Sequence, residues 1–267
     1  MVAMAVPRSV HIDSGFGLVE ALTVGRGDVV SLVGAGGKTT VLYALSLELR
    51  RMGFNVITTS TTRMQTPLSS DTAPPLVVVA DEDNWLTTVK AHVARYGAVT
   101  VIQERERDDK LRGLEPVMMD PMRSLADCLL IEADGARGRS LKAPAEHEPA
   151  VPEETTISVV VVGLDALGKR LEEQNVHRLE IVKQLSWTMR GMEISEDVIV
   201  ECVAAGYLPK LPKSSRRIAF LNKAADVLLP AAERIGEALL RRGVSEVVFG
   251  EAERPHECFY RMRLSDG

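Results

Sequence analysis

The sequence predicts an α/β fold, with a mostly parallel sheet, helices on both of its faces and a helical insertion. Val-rich runs such as TISVVVVG and CLLIE are typical of buried parallel strands. Amphipathic helical stretches alternate with these runs, which is the order of βαβ units. Apolar residues make up 45% of the 267 residues and aromatic residues only 4%, so a large core must rest on aliphatic side chains.

The elements follow in a regular order. The patterns predict strands at 28–33, 55–59, 76–80, 99–103, 128–132, 156–163, 217–221 and 246–249. Helices are predicted from Lys38 to Met52, over 81–96 with Asp81 as its cap, and over 231–242. The charge run ERERDDK (104–110) is expected to be a solvated turn. We expect one domain over 1–267, in which 171–211 forms the helical insertion or a small subdomain.

Charge and cysteine content exclude several classes of function. A net charge of −5 gives no general attraction to nucleic acid or to an anionic membrane. Cys128, Cys202 and Cys258 lie far apart without paired spacing, which suits a reducing compartment. The N-terminal residues lack the pattern of a signal peptide, and no run is long enough to span a bilayer. A cytoplasmic protein is therefore expected.

A glycine-rich loop follows the first predicted strand directly and opens the first long helix. The stretch VVSLVGAGGKTT, at 29–40, contains Gly-x-x-Gly-Lys-Thr, whereas the usual P-loop has four residues between its first glycine and Gly-Lys. This compact spacing resembles the loop of Mur-type peptide ligases. Backbone N–H groups at a helix N-terminus attract phosphate, and glycines allow close approach. A P-loop NTPase-like fold is therefore predicted.

The loop residues receive specific roles from this interpretation. Lys38 is expected to reach the β- and γ-phosphates of ATP or GTP, and the Thr39 hydroxyl to hold Mg²⁺. The nucleotide-binding set is predicted to comprise Gly34, Ala35, Gly36, Gly37, Lys38, Thr39 and Thr40.

A metal-side acid is predicted at the exit of the strand CLLIE. Glu132 and Asp134 follow its buried residues, where parallel strands present ligands at their carboxyl ends. The pattern Glu-x-x-Gly resembles a loop of the metallochaperone branch of P-loop GTPases. Glu132 is expected beside Mg²⁺, and Asp134 as a metal ligand or water-orienting group. With Lys38, these acids form the predicted catalytic set.

Three further segments are candidates for substrate or phosphate contacts. In TTSTTR, Thr61 or Thr62 follows a strand that lies beside the loop strand if the sheet is doubly wound, and would contact the γ-phosphate or the metal. Local hydrogen bonding at a strand end is the alternative. In ARGRSLKAP, the cations can bind an anionic substrate, stabilise charge on the γ-phosphate, or simply be solvated. These cations are Arg137, Arg139 and Lys142.

The segment FLNKAAD resembles the guanine-reading motif of GTPases, Asn-Lys-x-Asp. Asn222 and Lys223 stand in the expected positions, but the acid arrives one residue late, at Asp226. On a helix start this turns the side chain by about 100°. Base binding by these residues is predicted, while the choice between ATP and GTP stays open.

The motifs together resemble the YqeC family of selenium-dependent hydroxylase accessory proteins. GAGGKTT, TTSTTRM, VVVVGLDALGK, HRLE and FLNKAAD contribute, and EADGARGRSLKAP with the neighbouring EHEP is the most specific part. The resemblance implies a role in the maturation of molybdenum-containing hydroxylases that carry a labile selenium cofactor. Its implied partner is a client hydroxylase or a cofactor-insertion protein.

Three functions remain open at this point. The first is a Mg²⁺-dependent NTPase that assists cofactor insertion. The second is a small-molecule kinase or ATP-dependent ligase, suggested by the compact loop. The third is a non-catalytic carrier of a nucleotide-containing molybdenum cofactor. A homodimer is expected by analogy with metallochaperone-type P-loop proteins.

Overall fold

The computed structural model of the chain describes residues 9–65, 74–107, 110–185, 193–254 and 258–265. Part of the predicted helical insertion, 186–192, lies outside the described residues, as do 1–8 of the N-terminal segment and 108–109 of the charge run. Within the described part of the chain, no helix is both long and apolar enough to cross a membrane.

The fold is α/β, with a ten-stranded, mostly parallel sheet. Its strands, and those of two small sheets, are β1 (Val10–Phe16), β2 (Val29–Gly34), β3 (Val56–Ser60), β4 (Arg63–Gln65), β5 (Leu76–Val78), β6 (Ala98–Ile102), β7 (Glu104–Arg107), β8 (Lys110–Arg112), β9 (Cys128–Glu132), β10 (Leu141–Lys142), β11 (Ile157–Gly163), β12 (Val176–His177), β13 (Arg216–Asn222), β14 (Glu246–Gly250) and β15 (Phe259–Leu264). The α-helices are α1 (Leu18–Leu22), α2 (Lys38–Arg51), α3 (Trp85–Tyr96), α4 (Asp120–Arg123), α5 (Leu179–Leu185), α6 (Glu196–Glu201) and α7 (Leu229–Arg241).

The central strands are buried on both faces, as their Val-rich sequences predict. In β2, Val30 and Leu32 pack with α1 and α2 on one face, whereas Val29 and Val33 point into the other core. That second core takes the apolar sides of α3, α4, α6 and α7. Alternate side chains of one strand thus serve two cores, and the prediction of helices on both faces is confirmed.

The strand order is β1-β15-β14-β13-β11-β2-β9-β3-β6-β5. The loop strand β2 therefore lies in the middle of the sheet, between β11 and β9. The expectation that β3 lies beside it is wrong, because β9 pairs with both strands and separates them. The carboxyl ends of β9 and β2 meet instead, which brings Glu132 next to the glycine loop.

Two other predictions are corrected by the structure, and two strands of the ten-stranded sheet were missed. The run ERERDDK contributes a strand, β7, that pairs antiparallel with β8, which in turn pairs with β4. Its described charges alternate between exposed and half-buried positions, so the hairpin tolerates them. Helix α3 begins at Trp85 after Asn84; a 3₁₀ turn at Val79–Asp81 replaces the predicted first turn and its Asp81 cap. The edge strands β1 and β15, which pair antiparallel, were not predicted.

The segment predicted as a helical insertion connects β11 to β13, which are parallel neighbours. Parallel neighbours need a crossover, and here it contains β12, α5, α6 and a π-helix at Cys202–Tyr207. Val182, Ile199 and Val203 from this crossover are buried in the same core as Val160 and Ala219 of the sheet. The described part of 171–211 contains α5, α6 and the π-helix together with turns and the short strand β12, and it covers one face of the sheet.

Candidate functional site

Hydrogen bonds join the backbone of the glycine loop to neighbouring segments of the chain. The Gly34 N–H donates to Asp134 Oδ2 at 3.1 Å, the Ala35 N–H to the Val161 carbonyl at 2.8 Å, and the Gly36 N–H to the Arg139 carbonyl at 2.9 Å. The helix α2 then begins at Lys38. The first N–H groups of a helix have no partner within it, so the first turn of α2 offers donors to an anion.

Glycine is required in this loop by both conformation and space. Gly34, Gly36 and Gly37 have φ values of 96°, 87° and 112°, in the left-handed region. A Cβ on Gly34 would collide with the Val161 carbonyl oxygen, and one on Gly36 with the backbone of Gly163. The loop can be short because it lies directly against the end of β11.

Two residues of the loop contact the acid that ends β9. Thr39 Oγ1 donates to Glu132 Oε2 at 2.7 Å. Lys38 Nζ lies 3.7 Å from Glu132 Oε1 and 3.2 Å from Asp134 Oδ1, and it donates to the Gly34 carbonyl at 2.8 Å. The Lys38 side chain thus folds back under its own loop. Burial alone would lower the pKa of Lys38, but the two carboxylates outweigh it and raise that pKa.

The donor set around Thr39 fits Mg²⁺. Burial raises the pKa of Glu132 against the opposing effects of Lys38 and Thr39, so a bound cation would restore the charged carboxylate. Mg²⁺ usually takes one or two protein oxygens and leaves its other positions to water and phosphate. A hydroxyl and a carboxylate joined by one hydrogen bond match that pattern. Among the described residues no group of three or more His, Cys, Asp or Glu side chains could form an all-protein metal cage.

Asp134 lies beneath the loop rather than beside Thr39. Its side chain is fully buried, and Oδ2 accepts from the Gly34 N–H, from Lys142 Nζ at 3.0 Å and from the Tyr207 hydroxyl at 2.7 Å. Burial and the neighbouring carboxylate raise the pKa of Tyr207 well above its usual value, so the phenol stays a donor. Asp134 therefore holds the glycine loop and Lys38 in place.

A chain of buried ion pairs continues from Asp134. Lys142 Nζ also contacts Glu148 Oε2 at 3.0 Å, and Arg178 donates two hydrogen bonds to the Glu148 carboxylate. Burial opposes ionisation of Glu148, but Arg178, Lys142 and the Ala145 N–H outweigh it, and its pKa falls to about 2. Lys142 is thus held by the acids around it, which limits its reach toward a substrate.

The residues predicted to bind the base lie at the carboxyl end of β13 and in the segment that follows it. The Asn222 side chain is buried; Nδ2 donates to the Gly36 carbonyl at 2.8 Å, and Oδ1 accepts from the Ala252 N–H at 3.0 Å. Lys223 is partly exposed near Asp165 and lines the cavity over the loop. Asp226 is exposed and does not line that cavity, whereas Glu253, after β14, does.

That cavity has a volume of about 550 Å³ and runs over the loop residues 36–40 and Glu132. Arg137, Arg139 and Thr62 line it, and the Thr62 Oγ1 is buried without a hydrogen-bond partner in the described residues. Thr61 does not line it, because its hydroxyl donates to the Ala150 carbonyl at 2.8 Å. The cavity also includes residues that were not nominated from the sequence as site residues: Arg63, Lys110, Glu148, Arg178 and Glu253.

The residues missed by sequence reasoning had weak signals. Glu148 and Arg178 stand within EHEP and HRLE, which carried the family resemblance without a chemical role. Tyr207 had no signal, because an isolated tyrosine in a helical stretch is most often a core residue. Its contact with Asp134 joins residues 73 positions apart.

Solved structures of FtsY are similar at low level: that from Mycoplasma mycoides has a TM-score of 0.39 and 11% identity, covering 90% of this chain and 63% of that one. The FtsY of Thermotoga maritima has a TM-score of 0.37 and 15% identity, with 90% and 65% covered. The chain thus spans less than two thirds of either structure.

Sequence comparison is more informative. The chain is 31% identical over 204 residues to the "Uncharacterized protein YqeC" of Escherichia coli (strain K12), which covers 74% of this chain and 77% of that protein. A family model described as "YqeC protein" matches residues 30–180, more than half of the chain and the part that holds the loop, both acids and the basic residues of the cavity other than Lys223. The chain belongs to the YqeC family.

Proposed function

We propose that the protein is a Mg²⁺-dependent, nucleotide-binding P-loop NTPase that assists the maturation of, or cofactor insertion into, a selenium-dependent molybdenum hydroxylase. The nucleotide part is carried by one observation, the pairing of Thr39 with Glu132 at the first turn of α2, directly after a loop in which Gly34 and Gly36 have no room for a Cβ. The pathway is supported by family membership and by the resemblance of the motifs.

Different residues of the site would bind different parts of a nucleoside triphosphate and its metal. The N–H groups at 37–40 face the cavity and would bind phosphate oxygens. Lys38 would exchange its contact with Asp134 for the β- and γ-phosphates, and Thr39 and Glu132 would hold Mg²⁺. The metal supplies neutralisation of charge on the phosphate oxygens. Glu132 is the acid closest to it, whereas Asp134 positions the loop from below.

The first test is titration calorimetry with ATP and with GTP, each with Mg²⁺. We expect tight binding of one nucleotide, which identifies the base. Lys38→Ala should abolish it, but this substitution leaves Glu132 without its cation and Asp134 with Lys142 alone. Thr39→Val keeps that cation and should weaken Mg²⁺-nucleotide binding by about tenfold or more, which is about 1.4 kcal/mol. No binding of either nucleotide by the folded protein would contradict the proposal.

The pathway needs its own test. Cells that lack this chain should show reduced activity of a molybdenum hydroxylase, restored by the wild-type protein and not by Thr39→Val. Equal hydroxylase activity with and without the chain would contradict this part and leave nucleotide binding untouched. The molar mass in solution, with and without nucleotide, tests the predicted homodimer.

A second candidate, a small-molecule kinase, is favoured by the basic residues beyond the loop. A kinase would transfer the γ-phosphoryl group to an acceptor, so a phosphorylated product would form in place of free phosphate. Phosphorus NMR of the reaction separates the two outcomes. Copurification of a nucleotide-containing cofactor without turnover would instead indicate a carrier.

A further inference from the structure

The cavity over the glycine loop extends further than a nucleotide alone requires. Lys223 and Glu253 follow β13 and β14, while Glu132 and Thr62 follow β9 and β3. With strands about 4.8 Å apart, β14 lies about 14 Å from the loop strand β2, and β3 lies about 10 Å beyond it on the other side. A nucleotide with its base near β13 and β14 would fill the first part and end at the loop.

Four cations of the described segments line this cavity in addition to Lys38, Arg139 and Lys223. Arg137 follows β9, Arg178 follows β12, and Arg63 and Lys110 belong to the small antiparallel sheet. Acids compensate some of these charges: Arg178 pairs with Glu148 and Arg63 with Glu106. Arg137 is different, because its guanidinium has no hydrogen bond or ion pair in the described residues.

The backbone at two of these arginines is also unusual. Arg137 and Arg178 have φ values of 50° and 63°, which residues with a Cβ seldom adopt. Strained residues of this kind concentrate at ligand sites. The bidentate pair with Glu148 fixes the direction of the Arg178 guanidinium and leaves its Nη1 outside the pair.

The pKa of His177 reflects its burial and the charges around this part of the cavity. Burial and the positive charges of Lys142, Arg178 and Arg137 lower the pKa of its imidazole to about 4. The ring is therefore neutral near pH 7 and can donate one hydrogen bond and accept another. The positive charges of Lys142, Arg178 and Arg137, which contribute to this shift after burial, would also attract an anion.

We propose that the part of the cavity around Arg137, Arg178 and His177 is a second anion site, which binds a phosphate ester or an oxyanion beside the γ-phosphate. The inference rests on the proposed nucleotide function, since it assigns the loop to the nucleotide. Guanidinium groups suit such ligands because their paired N–H donors match two oxygens of one anion. A protein with this site would take a small polyanion as its co-substrate.

The test uses inorganic phosphate as the probe. The protein is first saturated with Mg²⁺ and a non-hydrolysable nucleoside triphosphate, so that every phosphate position on the loop is filled, and phosphate is then titrated by calorimetry. We expect phosphate to bind, and Arg137→Gln to weaken this binding by about tenfold while the triphosphate affinity changes by less than about twofold. Arg170→Gln, a change of the same type in an exposed ion pair with Glu172, should leave both unchanged.

Two results would overturn the inference. Absence of phosphate binding to the saturated wild-type protein is the first. The second is a loss of triphosphate affinity in Arg137→Gln with diphosphate affinity retained, because Arg137 would then contact the γ-phosphate itself. If the wild type binds no nucleotide, the proposed function fails, and the second site is then tested by titrating phosphate alone into wild type and Arg137→Gln.

Discussion

The hydroxyl of Tyr207 donates a hydrogen bond of 2.7 Å to Asp134, and the same carboxylate oxygen accepts from the Gly34 N–H of the glycine loop. Tyr207 lies in the π-helix of the crossover between β11 and β13. A π-turn within a helix is uncommon and is often found at functional sites. This bond ties the helical crossover to the glycine loop through a single buried acid.

Removal of this hydroxyl should destabilise the fold. Tyr207→Phe takes one donor from a buried carboxylate, and a hydrogen bond to a charged group contributes about 1.5–3 kcal/mol. We expect the free energy of unfolding in urea to fall by about that amount. Tyr260→Phe is the matched control, since its ring stacks on Phe249 at the other end of the sheet, and it should change little. Equal effects of both changes would contradict the role of the Asp134 contact.

The glycine loop gives a prediction with a close internal control. Gly36→Ala places a Cβ against the backbone of Gly163 at a φ of 87° and should lower stability by more than about 2 kcal/mol. Nucleotide binding should be lost with it. Gly135→Ala lies in the same cavity with open space around the new methyl group, and should retain binding and stability. Thermal unfolding and calorimetry on both variants check this, and binding by Gly36→Ala would refute the packing argument.

Stability should depend on pH through His177. Its pKa is about 4 in the folded protein and about 6.5 when unfolded. Between these values the unfolded chain binds more protons at this residue, so its contribution is present above pH 6.5 and is lost as the pH falls toward 4. We expect the free energy of unfolding of His177→Asn to decline less than that of the wild type from pH 7 to 5. Parallel profiles would show that the imidazole does not titrate in this way.

The acid after Lys223 should not determine base preference. Asp226 is exposed and away from the cavity, so Asp226→Ala is expected to leave the ATP and GTP affinities within about twofold. Glu253→Gln changes a cavity residue and should alter the ratio of the two affinities. Competition binding measures both. A shift of the ratio in Asp226→Ala alone would mean that this residue reaches the base when nucleotide binds.

The sequence was most informative where functional residues and a buried strand lie within a few residues of each other. Val-rich strands, the glycine loop and the acid that ends β9 all have signals within a few neighbouring residues, and the structure places Glu132 against Thr39. The strand order was predicted less well, since nothing local indicates that β9 separates β2 from β3. The bond from Tyr207 to Asp134 depends on how a crossover folds back over the sheet, so it requires the tertiary structure.

The hairpin of charged residues shows a second limit. In ERERDDK the charge pattern outweighed strand propensity in our prediction, yet β7 forms because its partner β8 supplies the backbone hydrogen bonds. Strand preference depends strongly on such context. As a result, Lys110 and Arg63 were not recognised as neighbours of the site, although both line its cavity.

The hydrogen bonds between the glycine loop and its neighbouring segments have a further consequence for ligand binding. Because Gly34, Ala35 and Gly36 already donate to Asp134, Val161 and Arg139, their backbone is held in shape by the protein itself. A nucleotide would then bind to a preorganised loop, and little of its binding free energy would be lost in ordering the chain. Nucleotide exchange would be limited by the movement of one side chain, Lys38, as it leaves its two acids.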